Sequence, residues 1–286
     1  MTLLILADAA RDATAVRLAV LANQSASATL IAPVELALAE HWVHRVQGRA
    51  VSTSFTTRNG VTIDSASVVG VFNRLWVVPV SPLTQFRAVD RDYAQAELHA
   101  LAVSWLAGLH CPVVNAASPH ALCSSPLTML RWQILAHRAG LKTIAARLTT
   151  SQRRFPAPDM MRAIGDSSDR APDPLHSVGP ATFTEPTGTR QISVLVIGDV
   201  AWVEGIERDG VTSLLEESCV RFARSAQVVL VRVHFVSSAD EREWLFVQAD
   251  TTPDVIVPEH LAALLSTLCK RRPAFATEHS VRASSV

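Results

Sequence analysis

Tyr93-Ala-Gln-Ala-Glu-Leu-His-Ala-Leu-Ala-Val-Ser-Trp-Leu-Ala-Gly-Leu-His-Cys-Pro-Val-Val-Asn115 opens the stretch, closing at Ser151, on which the reading of the fold turns. Leu98, Leu101, Ala102, Trp105 and Leu109 recur at three- and four-residue steps, which predicts a helix over 93–109 with one buried stripe. Polar His99 and Ser104 fall between them. Cys111–Asn115 is a brief apolar run with Pro112 at its entrance, where a missing N–H costs least, and predicts a short buried strand. Ser125 then offers an N-cap, Pro126 a first helical residue and Gly140 a left-handed stop, so a second helix is expected over 126–139. Thr143–Thr150 is rich in β-branched residues and reads as a further strand.

Outward from this centre the same alternation continues. Leu3–Ala7 is a continuous apolar run of the kind found in a strand covered on both faces. Ala13–Asn23 reads as a helix from the spacing of Val16, Val20 and Leu21, and Thr29–Ala32 as a second strand, giving a β-α-β opening. The loop between them, Asp8–Asp12, holds no glycine, so the close backbone approach of a dinucleotide-binding turn is absent. Val34–Val46 reads as a helix carrying His41 and His44 three apart; with no third ligand in view, a surface helix is favoured over a metal site. Asn59-Gly60 centres a hairpin over 51–63. Ser67–Trp76 is a buried strand with Arg74 near its end, placed either to face a cleft or to pair with an acidic residue. Towards the C-terminus, 211–223 is an amphipathic helix, and 227–235 and 243–249 are a strand pair. The closing helix, 258–270, buries Leu261, Leu264, Leu265 and Leu268.

Composition bounds the function. A chain of 286 residues with 49% hydrophobic side chains has ample material for a core, which excludes a disordered protein. Basic and acidic side chains balance at 26 each, so no global field draws the chain to nucleic acid or an anionic membrane. Only Lys142 and Lys270 are lysines, which restricts any mechanism that needs one. Cys111, Cys123, Cys219 and Cys269 are scattered without a C-x-x-C pair, and no apolar run approaches a membrane span or a signal peptide. A cytoplasmic, reduced protein is expected. His110, His120 and His137 border apolar helices and read as structural.

The β-α-β opening, a hairpin around a glycine, Val71-Phe-Asn-Arg74, a helix carrying Glu97, Val113-Val-Asn115, a further helix and Gly140-Leu-Lys-Thr-Ile144 occur in the order seen in ATP-grasp ligases. The chain resembles their RimK-like branch, within it the graspetide (microviridin-type) peptide maturases. The match resumes at Val194–Asp199 and Ala201–Ile206, which look like the family's hairpin. The resemblance implies an α/β, ATP-grasp-like fold in which an N-terminal pre-ATP-grasp domain precedes a shortened ATP-grasp α+β region. The implied boundaries are 1–122 for the first domain, 123–190 for a truncated central or lid region with a flexible loop at 152–190, 191–270 for the C-terminal domain and 271–286 for a disordered tail. It also implies a peptide or partner protein as ligand and a homodimer.

Such ligases phosphorylate a carboxylate, which requires cations on the triphosphate and acidic ligands for magnesium. Each of those positions departs from the family pattern. The first phosphate-binding lysine falls on Met129, and the second on a segment, 154–191, that contains no lysine. The hairpin arginine falls on Ser193, with Arg190 as a displaced substitute. His234, Gln248 and Asp250 stand where the family has Asp, Glu and Asn, and hold one formal negative charge instead of two. The residues implied for catalysis are therefore Arg74 and Arg190, for a nucleotide Lys142, Arg190 and Gln248, and for a metal His234, Gln248 and Asp250. Two functions follow from the resemblance: a degenerate relative that binds a peptide or partner with no cofactor and no ATP turnover, or an active, divergent ligase that uses ATP with magnesium.

Overall fold

Leu3, Leu4, Ile5 and Leu6 are almost wholly buried, as expected of a central strand covered on both faces. The computed structural model describes residues 2–24, 27–48, 50–80, 87–123, 127–144, 146–148, 181–183, 188–238 and 240–270. The chain divides into two units, Met1–Cys123 with Asp254–Val286, and Ser124–Pro253.

In the first unit, β1 (Thr2–Leu6), α1 (Ala13–Ala22) and β2 (Ser27–Ile31) form the expected parallel β-α-β turn. Asp12 caps α1, its Oδ1 accepting the Ala15 N–H at 2.8 Å. The buried side of α1 is Thr14, Ala15, Leu18 and Ala22, whereas Val16 and Val20 are exposed. The valines form an equally good stripe on paper; the alanine side is the one that packs against β1, β2 and α6.

The helix expected over 34–46 is a correction. Only α2 (Pro33–Ala37) is helical; β3 (Glu40–Gln47) follows, paired with β4 (Ala50–Thr56), which pairs in turn with β5 (Thr62–Asp64). Trp42 stacks on Phe55 with ring centroids 4.3 Å apart, and both meet Trp105 edge-on. These contacts are available only if Trp42 and His44 point to one side of a strand. The turn between β4 and β5 carries Gly60 at φ +80°, as the Asn59-Gly60 pair predicts.

Next come β6 (Val68–Asn73), α3 (Ala88–Ala107) and β7 (Val113–Val114), which complete a parallel sheet of order β2-β1-β6-β7. Helix α3 buries Ala102, Trp105 and Leu106, and Leu109 lies buried just beyond it; its expected stripe holds except that Leu98 and Leu101 are only partly covered. The strand expected over 111–115 shrinks to β7, because Asn115 adopts a left-handed φ of +61°.

The second unit opens with α4 (Met129–Arg138). Its N-cap is Thr128, whose Oγ1 accepts from the Arg131 N–H; the expected cap, Ser125, and Pro126 lie outside the described residues. Gly140 ends the helix at φ +87°, as expected. The strand expected over 143–150 forms as two pieces, β8 (Lys142–Thr143) and β9 (Ala146–Leu148), the latter antiparallel to β10 (Ala181–Phe183). Most of the expected loop 152–190, and all of 271–286, lie outside the described residues. Strands β11 (Gln191–Ile197) and β12 (Val200–Glu204), helix α5 (Gly210–Ser225), and strands β13 (Leu230–Ser237) and β14 (Trp244–Asp250) follow. The sheet order is β12-β11-β13-β14-β8, antiparallel except where β8 joins β14. Asp209 and Thr212 cap α5 reciprocally. One face of this sheet, built from Ile192, Val194, Val196, Val231, Val233, Phe235 and Phe246, packs on Trp132 and Ala136 of α4 and on Cys219 and Phe222 of α5. The last helix, α6 (Pro258–Cys269), belongs to the first unit. It lies against α1 and β6 so closely that a Cβ on Gly70 would stand 2.3 Å from the Leu268 carbonyl oxygen.

Cys111, Cys123 and Cys219 are buried, and burial pushes the Cys219 thiol up. No described helix is long and apolar enough to cross a membrane.

Candidate functional site

Strand β13 reads Val231-Arg-Val-His-Phe-Val236. The two-residue period of a strand sends Val231, Val233 and Phe235 into the helix-covered core and turns Arg232 and His234 to the other face. Register decides their neighbours. One row runs Glu204, Ser193, His234, Gln248 across β12, β11, β13 and β14, and the next runs Trp202, Leu195, Arg232, Asp250. Residues paired in register share a face, so six polar side chains meet on it. A bulge opposite His234 and Phe235 makes this compatible with the core: β14 spends one extra residue there, so Phe246 points into the core while Gln248 and Asp250 point out of it.

The geometry is specific. Arg232 donates from Nε to Glu204 Oε2 at 3.0 Å and from Nη2 to Oε1 at 3.3 Å, a two-pronged pair, and Ser193 Oγ donates to the same Oε2 at 2.7 Å. Asp250 Oδ1 accepts from the Thr252 backbone N–H at 2.7 Å and from its Oγ1 at 3.2 Å. Burial lowers the His234 pKa below the usual histidine value; Asp250 pulls it back up, Arg232 adds to the lowering and Glu204 opposes it. His234 is therefore a neutral imidazole at neutral pH. It borders a shallow recess lined by Gln191, Ile192, Phe235, Val236 and Val247.

The ATP and magnesium implied by the resemblance can be tested against these donors. Magnesium takes hard, mostly anionic oxygens in near-octahedral array. Here Glu204 is given to a guanidinium and a hydroxyl, one oxygen of Asp250 to a backbone turn, and the remaining donors are a neutral imidazole and an amide. Among the described residues no three His, Cys, Asp or Glu side chains close on one point. The set does not fit magnesium.

The structure brings together His234, Gln248 and Asp250 of the implied residues, and it separates the others. Lys142, on β8, is paired with Glu243 at the sheet edge. Arg190 lies with its guanidinium 5.4 Å over the Trp244 ring, and Trp244 packs on the helix-covered core. Displaced from Ser193 by an odd number of residues, Arg190 falls on the opposite side of the sheet from His234. Arg74, in the first unit, is buried with its Nε 3.4 Å from Asp12 Oδ2 and its guanidinium over Phe72; of the two alternatives for it, pairing with an acidic residue is the one seen. Met129 begins α4. His41 is exposed at φ +54°, while His44 bridges Thr53 Oγ1 at 2.7 Å and Ser104 Oγ at 2.8 Å, so the two do not form a pair. Sequence reasoning missed Arg232 and Glu204. The available signal was the arginine between Val231 and Val233, since a charge in an otherwise apolar strand marks a face that is not core.

No family model and no curated protein matches the sequence. Solved structures do match. The macrocyclase MdnC from Microcystis aeruginosa MRC, bound with precursor peptide MdnA, is 12% identical with a TM-score of 0.68 over 94% of this chain and 99% of that one. A RiPP-associated ATP-grasp ligase from Chryseobacterium gregarium, in complex with ADP and a leader and core peptide, is 11% identical with a TM-score of 0.67, covering 95% and 97%. A RimK domain ATP-grasp protein from Sphaerobacter thermophilus is 15% identical at 0.52, covering 94% and 100%. The likeness shows the fold: this chain has the α/β ATP-grasp fold, as its segment order implies.

Proposed function

We propose that this protein is a degenerate ATP-grasp relative, a peptide- or partner-binding accessory in peptide modification that does not turn over ATP. One observation carries the reading: on the sheet face that should bear acidic metal ligands, Glu204 is held by Arg232 and Ser193, and the position of the family aspartate is a neutral histidine. The peptide part draws on MdnC and the Chryseobacterium ligase, whose structures hold precursor or leader and core peptides. A cytoplasmic location and a homodimer belong to the same proposal.

A second reading, an active divergent ligase, has its own support: His234, Gln248 and Asp250 stand on one face in adjacent register positions. Calorimetry separates the two. Under the accessory reading, ATP with magnesium gives no binding heat up to about 1 mM, a limit near 4 kcal/mol of binding free energy, while a candidate precursor peptide encoded beside the gene still binds. ATP hydrolysis stimulated by that peptide, and lost on Asp250→Ala, would sink the accessory reading and establish the ligase.

A further inference from the structure

Strand β3 lies at an edge, with β4 as its one strand neighbour among the described residues. The Thr53 N–H, opposite His44, donates to Ser65 Oγ at 2.9 Å on the β5 side, so His44 and Thr53 pair without backbone hydrogen bonds to each other. His44 therefore turns its own N–H and C=O to the open side, and so does Val46, two residues on. Other edges are guarded. On β12 the Val203 N–H is taken by Glu216 Oε1, and on β2 the Ala28 N–H is taken by Asn23 Oδ1 at 2.8 Å. No described side chain does this for β3. The strand also lacks proline and lysine, and its Val43 and Val46 are 50% and 58% exposed.

Charge on this strand is patterned as well. An irregularity at His41 sets Glu40 opposite Thr56 and Val43 opposite Ser54, so Glu40, Val43 and Arg45 share the outer face of the hairpin. Glu40 and Arg45 are exposed, and neither has an ion-pair partner among the described residues. We propose that the open edge of β3 pairs antiparallel with β3 of a second copy of this chain, across a two-fold axis at His44. The two three-stranded sheets then join into one. Two-fold symmetry makes every contact occur twice. Val46 lies opposite Trp42 of the partner subunit on the inner face, and Val43 lies opposite the partner's Arg45 on the outer face. Glu40 comes diagonal to the partner's Arg45, a spacing that long side chains span. Both exposed valines are covered and both unpaired charges meet their opposites, a match that an arbitrary extended peptide does not supply. The pairing rests on the homodimer put forward above and assigns that dimer its interface.

Sedimentation of the full chain between about 1 and 100 µM tests the pairing, and so small an interface should give a dimer with Kd on the order of 10 µM. Val46→Pro removes an outward N–H while leaving the ladder to β4 whole, and should weaken the dimer at least about tenfold. Glu40→Arg alone sets like charges near each other across the axis and should weaken it by about threefold to tenfold; adding Arg45→Glu should restore it. Both of these changes lie on the exposed face, so the restoration is readable even where Val46→Pro disturbs the hairpin. A wild type that stays monomeric throughout overturns this pairing and the homodimer together, and leaves the accessory reading standing. A dimer insensitive to Val46→Pro, or a Glu40→Arg loss that the double variant does not restore, overturns the β3 interface alone.

Discussion

Gln133 lies buried in α4 at 5% exposure, and neither polar atom of its amide meets a partner among the described residues. An unsatisfied buried amide costs about 1–3 kcal/mol, so Gln133→Leu, of similar volume, should stabilise the protein by about 1 kcal/mol or more in urea unfolding. No loss of stability elsewhere is expected, since the side chain holds nothing in place. His234 gives a second residue-level outcome. Its folded pKa is lowered, so the unfolded chain binds the proton more readily, and stability rises with pH. The contribution is complete above the ordinary histidine value of about 6.5 and is lost as pH falls below it towards the folded value. His234→Asn should flatten the pH dependence of the urea midpoint across that window. The resemblance singled out His234, Gln248 and Asp250, and the structure sets them on one face of the sheet. Their partners were not legible, because Arg232 and Glu204 meet only through a register that spans three strands.

At the scale of elements, β12 is an edge strand with a guard. Its outward-pointing Val203 N–H donates to Glu216 Oε1 of α5 at 3.0 Å, and Glu216 is held in turn by Arg208 at 2.7 Å. An edge with open backbone groups invites another strand. Glu216→Ala should therefore cost about 2 kcal/mol in thermal or urea melts and raise self-association, seen by light scattering. Elements with a strong period or a punctuating residue were readable: α3 from its stripe, the β4–β5 turn from Asn59-Gly60, the end of α4 from Gly140. Misreadings came where two patterns compete. Residues 40–47 carry apolar positions compatible with either period, and it is the stacking of Trp42 on Phe55 and Trp105 that selects a strand. On α1 both the valine and alanine sides make a helical stripe, and packing against the neighbouring elements chooses the alanines.

For the whole molecule, the informative feature is that the first unit is discontinuous in sequence, with the second unit inserted before α6. Gly70 of β6 and Leu268 of α6 show how tightly the returning helix is seated. Gly70→Ala should destabilise the first unit by about 3 kcal/mol, since the obstacle is backbone and cannot swing aside. Each unit holds three of the six tryptophans, so variants that keep only Trp105 or only Trp132 resolve the units by fluorescence; an earlier urea transition is expected only for the first. Sequence order conveyed the overall architecture, but an insertion of this kind is invisible to local pattern, because nothing in 258–269 says which sheet its leucines will cover. The arrangement also sets an order of birth. On the ribosome the strands of the first unit emerge early and stay without their last helix until all of Ser124–Pro253 has been made. The inserted unit can close upon itself while its host is still waiting, so the nascent chain leaves open the surface of α1 and β6 that α6 will cover, and that interval is when a chaperone has most to offer it.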